Sequence, residues 1–130
     1  MVNKLLTSIF LFCILSIAGC APLVVGAGAG AGVYTYMEGE LTRAYQASFD
    51  KTNRASIAIL KKLKISLIKE TCDGINTTIS GKRADGTPVT IKTKMLAPKI
   101  TEVSVRSGYL GVWDKQISEL IHASIAQRLQ

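Results

Sequence analysis

Residues 87–106 read TPVTIKTKMLAPKITEVSVR, and this stretch decides the fold. On each side of Pro98, apolar or β-branched residues alternate with polar ones. A period of two sends successive side chains to opposite faces of a strand, so the pattern predicts two half-buried β-strands. Pro98 separates them because proline cannot donate to a strand ladder. The inward-facing residues are Val89, Ile91, Thr93, Met95, Thr101, Val103 and Val105.

Two more strands are predicted directly upstream. Residues 65–71 and 75–80 are rich in β-branched residues, and the Asp-Gly pair at 73–74 is typical of a hairpin turn. A second Asp-Gly pair, at 85–86, marks the reversal that leads into the quoted stretch.

The outer parts of the chain predict another strand and two helices. Residues 33–45 mix aromatic and β-branched residues, which indicates a first strand with a bulge at Gly39. Ser48 is an expected N-cap for a helix that stops near Lys64, and Asp114 is an expected cap for the last helix. The apolar stripe of that last helix comprises Ile117, Leu120, Ile121, Ile125 and Leu129.

The order β-α-β-β-β-α predicts an α+β, two-layer sandwich. An antiparallel sheet of about four to five strands would carry both helices on one face. The other face would be open to solvent and basic. It would carry Lys82, Lys92, Lys94 and Arg106, with Glu102 among them.

Residues 1–19 have the features of a lipoprotein signal peptide. A weakly positive start precedes the apolar run 5–17, which has the length of a signal peptide's hydrophobic region and is short for a membrane span. The run ends in Ile17-Ala18-Gly19-Cys20, which resembles a lipobox, the motif cut before a lipidated cysteine. An uncleaved N-terminal helix and an ordinary signal peptide cut elsewhere are the alternatives.

Cleavage at this position would leave Cys20 as a lipidated first residue in the bacterial cell envelope. Ala21, rather than Asp, follows it, and by resemblance to enteric sorting rules this favours the outer membrane, inner leaflet, facing the periplasm.

The whole chain has 16 Lys and Arg against 9 Asp and Glu, a net charge of +7. A basic excess suits anionic lipid headgroups or cell-wall polymers, and export makes nucleic acid the partner least expected.

Residues 20–32 comprise the cysteine and a Gly/Ala-rich stretch, and residues 33–130 are the expected folded domain. The stretch predicts a flexible tether, although glycines at positions 26, 30, 28 and 32 also have the spacing of a glycine-zipper helix. A nucleotide-binding glycine loop is excluded, because no strand precedes it and no acidic residue follows at the required distance.

These features together resemble a family of short, uncharacterised bacterial lipoproteins with a domain of unknown function. The resemblance implies the envelope location and the fold, and it implies no activity. It rests on the lipobox and the Gly/Ala run, then on Gly39-Glu40-Leu41, Ser48-Phe49-Asp50 and the stretch GKRADGTPV at 81–89.

No residue set indicates a catalytic centre, a metal site or a cofactor. His122 is the only histidine, and we expect it at the surface or at the edge of the core. Cys72 would be the one thiol left after export, partly buried, and Trp113 with Tyr109 and Leu110 would plug an edge of the core. A concave cavity near Cys72 or His122 with converging polar groups would favour an enzyme, and we expect none.

The sequence therefore predicts a membrane-anchored, non-enzymatic envelope lipoprotein that acts as a structural or interaction module. Its expected partners are the membrane, through the lipid on Cys20, and an envelope protein. The alternative is a binding module whose basic sheet face contacts an anionic envelope polymer or lipid.

Overall fold

The computed structural model describes residues 1–17 and 34–130. Cys20 and the expected tether, residues 20–32, lie outside these described residues. The elements are α1 (Val2–Ile17), β1 (Thr35–Met37), β2 (Glu40–Tyr45), α2 (Phe49–Lys62), β3 (Ser66–Asp73), β4 (Asn76–Lys82), β5 (Pro88–Ala97), β6 (Ile100–Tyr109), β7 (Val112–Trp113) and α3 (Lys115–Leu129).

The predicted α+β class is confirmed, with differences in the number of elements. The sheet has seven strands rather than four to five, and a third helix, α1, lies within the segment assigned to the signal peptide. The strand order is β1-β2-β6-β5-β4-β3, every pairing is antiparallel, and β7 pairs with β6.

The segment 33–45, predicted as one bulged strand, contains a hairpin instead. Glu38 and Gly39 have φ angles of 49° and 80°, and they turn the chain between β1 and β2. Two successive residues at positive φ are typical of the tight turns that join antiparallel strands. Gly39 is required there for a second reason, because a Cβ atom would lie closer than 3.0 Å to three atoms of the Trp113 indole.

One other turn and one strand differ from the sequence-based expectation. The β3–β4 loop consists of Gly74 and Ile75 rather than Asp73 and Gly74, because Asp73 is still paired, with Asn76. β7 was not predicted, since two residues are too few for a periodic pattern.

Helices α2 and α3 pack side by side on one face of the sheet, where α2 contacts β5 most and α3 contacts β6 and β2. Both predicted caps are confirmed, with Ser48 Oγ accepting from the Lys51 N–H and Asp114 Oδ1 from the Ile117 N–H. The buried core is formed by Tyr45, Ile59, Leu60, Ile65, Ile79, Val89, Ile91, Val103, Val105, Ile121 and Ile125. The helices leave the second face of the sheet uncovered, and β3 is exposed along its whole length.

Candidate functional site

The four basic residues predicted for the open face lie on it. Each alternates along its strand with residues that are buried beneath the helices. The register of the ladder sets their neighbours, so that Lys92 lies opposite Ser104 and Arg106 lies opposite Thr90. The set is Lys82, Lys92, Lys94 and Arg106, with Glu102 opposite Lys94.

Glu40 is a central residue of this face that the sequence analysis did not identify. Its Oε1 atom lies 2.5 Å from Lys92 Nζ and 3.6 Å from Arg106 Nη2. Glu40 reaches them because the β2–β6 ladder places it opposite Arg106. These side chains are partly exposed, so the two ion pairs add little stability. The carboxylate of Glu40 nevertheless partly neutralises two of the four predicted cations, Lys92 and Arg106.

The open face is therefore less basic than predicted, and rich in hydroxyl groups. On strands β2 to β6 it carries five cations and three carboxylates, an excess of two positive charges: Lys69, Lys82, Lys92, Lys94 and Arg106 against Glu40, Asp73 and Glu102. Thr42 and Ser104 share a hydrogen bond of 2.8 Å between their hydroxyl oxygens. A shallow groove of about 220 Å³ crosses the face, where the exposed or half-buried side chains are Asn76, Thr78, Lys92, Lys94, Glu102 and Ser104.

His122 is fully buried, so its expected position at or near the surface is wrong. Its Nε2 atom lies 2.6 Å from the carbonyl oxygen of Leu41, and its Nδ1 atom lies 2.7 Å from the Tyr45 hydroxyl. A carbonyl can only accept, so Nε2 carries a proton and donates it. In the neutral ring Nδ1 is then an acceptor for the Tyr45 hydroxyl, which also lies 3.0 Å from the carbonyl oxygen of His122. The ring also contacts Tyr34 edge-on, with the centroids 5.4 Å apart. The cluster connects α3 to β2.

Burial controls the ionisation of this cluster. It lowers the pKa of His122 to about 4, against the opposing effect of the hydrogen bond to Leu41, and the positive charge of Arg43 lowers it further. Burial also raises the pKa of the Tyr45 hydroxyl. Arg43 stacks against the Tyr45 ring at 4.9 Å and donates to the Tyr34 hydroxyl at 3.0 Å. At neutral pH, His122 is thus an uncharged structural residue.

Cys72 is exposed, and the expectation that it is partly buried is wrong. It lies on β3, the edge strand, which the helices do not cover. The same edge leaves an open groove of about 350 Å³ between α2 and the sheet, and Cys72 is part of its lining. Its polar lining includes Asn53, whose amide already bonds to the hydroxyls of Thr77 and Thr93.

The aromatic residues before α3 divide between core and solvent. Trp113 is half-buried against Gly39 and closes that end of the sheet, as predicted, whereas Tyr109 and Leu110 are 59% and 95% exposed. Beside Trp113 lies a cavity of about 480 Å³, and at its rim Arg83 is within 3.5 Å of Asp114. The ion pair holds the Arg83 and Asp114 side chains in place at the edge of this cavity.

Two further properties concern residues 1–17 and 34–130. No three of their His, Cys, Asp and Glu side chains are grouped so that they could hold a metal ion. Within this part of the chain, no helix combines the length and the apolar character needed to cross a membrane.

Comparison with known proteins places the chain in a family. No curated protein matches it. A family model described as a protein of unknown function, DUF3568, matches residues 4–128, which is nearly the whole sequence. The chain therefore belongs to the DUF3568 family.

Proposed function

We propose that this protein is a lipid-anchored lipoprotein of the bacterial envelope, whose folded part is a non-enzymatic structural or interaction module. The observation that carries the proposal is the sequence Ile17-Ala18-Gly19-Cys20 directly after an apolar segment. β1 begins at Thr35, fifteen residues after Cys20. A chain of that length spans at most about 50 Å, so the anchor would hold the domain close to a membrane surface.

The anchor would supply stable membrane affinity. Each buried CH₂ group of an acyl chain contributes about 0.8 kcal/mol, and stable attachment takes about two chains. A Cys20 that carries diacylglycerol meets this requirement, and Ala21 after it favours the inner leaflet of the outer membrane, facing the periplasm.

The first test compares the wild type with Cys20→Ala in cells fed a labelled fatty acid. We expect the wild type to incorporate the label and to sediment with the membrane fraction after a high-salt wash. Cys20→Ala should lose the label and keep the uncleaved N-terminus, because the modified thiol is what the peptidase recognises. The matched control is Cys13→Ala, which removes a thiol from the proposed signal peptide and should change neither result.

An unlabelled wild-type protein, or a Cys20→Ala variant that retains the label, would remove the basis of this proposal. In-cell cross-linking of the same two strains, followed by purification in detergent, then addresses the partner. An envelope protein recovered only with the lipidated form would make the domain an accessory subunit of a membrane assembly.

A second candidate function is suggested by the open face, which could bind an anionic envelope polymer or lipid. Lys82 and Lys94 are exposed there and make no ion pair within the described residues, and the hydroxyl and amide groups around the groove offer further hydrogen bonds. The carboxylate of Glu40 beside Lys92 weakens the field. The face is therefore better suited to a hydrated polymer with spaced anionic groups than to a dense anionic surface.

Replacing Lys82, Lys92, Lys94 and Arg106 with Gln should abolish this binding, because it removes four of the five cations of the face. The measurement is co-sedimentation with cell-wall fragments and with vesicles of phosphatidylglycerol and phosphatidylethanolamine. The matched control replaces four exposed cations of α2, on the opposite side, with Gln: Lys51, Arg54, Lys61 and Lys62. Both variants lose the same charge, so equal losses of binding would contradict a specific face.

A further inference from the structure

Strand β3 forms a long, exposed edge of the sheet. It is eight residues long, all eight residues are exposed, and it pairs only with β4. The opposite edge is different, since β1 has three residues. An edge strand presents unpaired N–H and C=O groups that can bind another strand, and natural proteins usually shorten or cover such edges.

The register of β3 shows which part of the edge is available. A bulge at Ile68 interrupts the ladder, so the regular part is Lys69–Asp73. The two-residue loop makes Asp73 and Asn76 a hydrogen-bonded pair, and pairs of this kind alternate along an antiparallel ladder. The outward-directed N–H and C=O groups therefore belong to Glu70 and Cys72.

This regular part is complementary to itself. We propose that two copies of this chain associate through β3, antiparallel, about a two-fold axis that passes beside Thr71. In this register the outward groups of Glu70 in one copy meet those of Cys72 in the other, twice, which makes four main-chain hydrogen bonds. Only a register centred on Thr71 pairs both sets of outward groups within Lys69–Asp73.

The side chains favour the same register. Lys69 and Asp73 project on the open face, and each would lie directly opposite the other residue of the second copy. These are non-hydrogen-bonded pairs, in which opposite side chains come closest, and opposite charges there are stabilising. The two copies of Thr71 would face each other, which is also a favourable cross-strand pair. The symmetry thus gives two identical ion pairs around a central threonine pair.

Apolar residues at the ends of β3 would be covered by the same association. Ile68 and Leu67 are 62% and 44% exposed, and Ile75, in the turn, is 46% exposed. The proposed axis brings Leu67 and Ile68 of one copy beside the Gly74–Ile75 turn of the other. The contact involves about nine residues of each copy, 67–75, against roughly 20–30 a side in stable complexes, so the association belongs to the weak class and is best detected by trapping.

Disulfide trapping of the full-length protein in cells tests the register. Across the axis, the Cα atoms at position 71 would be about 4.5 Å apart, within the range that a disulfide bridges. The variant Thr71→Cys/Cys72→Ser should therefore form a covalent dimer under mild oxidation. Thr78→Cys/Cys72→Ser carries its thiol on the same face, one strand further in, and should stay monomeric. Cys72→Ser alone reports any dimer that forms through Cys13 or Cys20.

Charge reversal tests the proposed ion pairs, and the double reversal shows whether a lost dimer reflects lost ion pairs or impaired folding. In the trapping variant, Lys69→Asp or Asp73→Lys alone should reduce the rate of dimer formation about tenfold, because like charges then face each other. Both changes together restore opposite charges and should restore the rate. Three results would each overturn the proposal. The cysteine at position 78 could form the dimer as readily as the one at 71, a single charge reversal could leave the rate of dimer formation unchanged, or the cysteine at 71 could trap a different protein.

Discussion

Lowering the pH from 7 to 4 should destabilise the protein by about 3 kcal/mol through His122 alone. Burial lowers the pKa of this residue to about 4, whereas an exposed histidine has a pKa of 6.5. The unfolded chain therefore binds a proton in a pH range where the folded protein does not, and each unit of difference is worth about 1.4 kcal/mol. The stability contributed by the neutral ring is complete above pH 6.5, falls between pH 6.5 and 4, and changes no further below pH 4.

The variant His122→Gln isolates this effect, because glutamine does not titrate and its amide can still donate to the Leu41 carbonyl. We expect urea unfolding of the variant to show a weaker dependence on pH than that of the wild type. The difference between the two proteins should grow by about 3 kcal/mol from pH 4 to 7, since contributions from carboxylates are common to both. Parallel curves would show that His122 is protonated as readily in the folded protein as in the unfolded chain.

The parts of the fold that were predictable are those with a local period. Ser48 and Asp114 begin helices in the sequence and in the structure, because a cap acts on residues three positions away. The alternation in β5 and β6 correctly assigned the buried and the open faces. The β1–β2 hairpin was missed because its only local signal, a glycine within an aromatic segment, also fits a bulge.

The parts of the site that were not predictable depend on contacts distant in sequence. Glu40 neutralises Lys92 only because β2 pairs with β6, a register that the sequence does not specify. Cys72 is exposed because β3 is the edge strand, which is decided by the strand order. His122 had a local signal, since it lies on the side of α3 that also carries Ser118 and Ile125, both buried. Four residues of the predicted stripe, Ile117, Ile121, Ile125 and Leu129, lie in the core or pack against it, whereas Leu120 is 47% exposed and His122 takes part in its place.

Replacing Gly39 with alanine should destabilise the protein by about 3 kcal/mol, because two costs add at this position. The φ angle of 80° is unfavourable for a residue with a side chain, at about 1 kcal/mol or more. The added Cβ would overlap the indole of Trp113, and displacing a packed ring costs about 1–3 kcal/mol. Trp113 is the only tryptophan of the chain, so its fluorescence should change in the folded variant together with the stability.

A matched glycine separates the two costs. Gly86 has a φ angle of 89°, and a Cβ there would meet no atom within 4 Å. Gly86→Ala should therefore show the backbone cost alone, about 1 kcal/mol, and leave the emission of Trp113 unchanged. Combining Gly39→Ala with Trp113→Ala should cost less than the sum of the single changes, because the overlap is absent without the indole. If Gly39→Ala proves no more harmful than Gly86→Ala, or if the double variant is additive, the indole does not close onto Gly39 and this end of the sheet is held by other contacts.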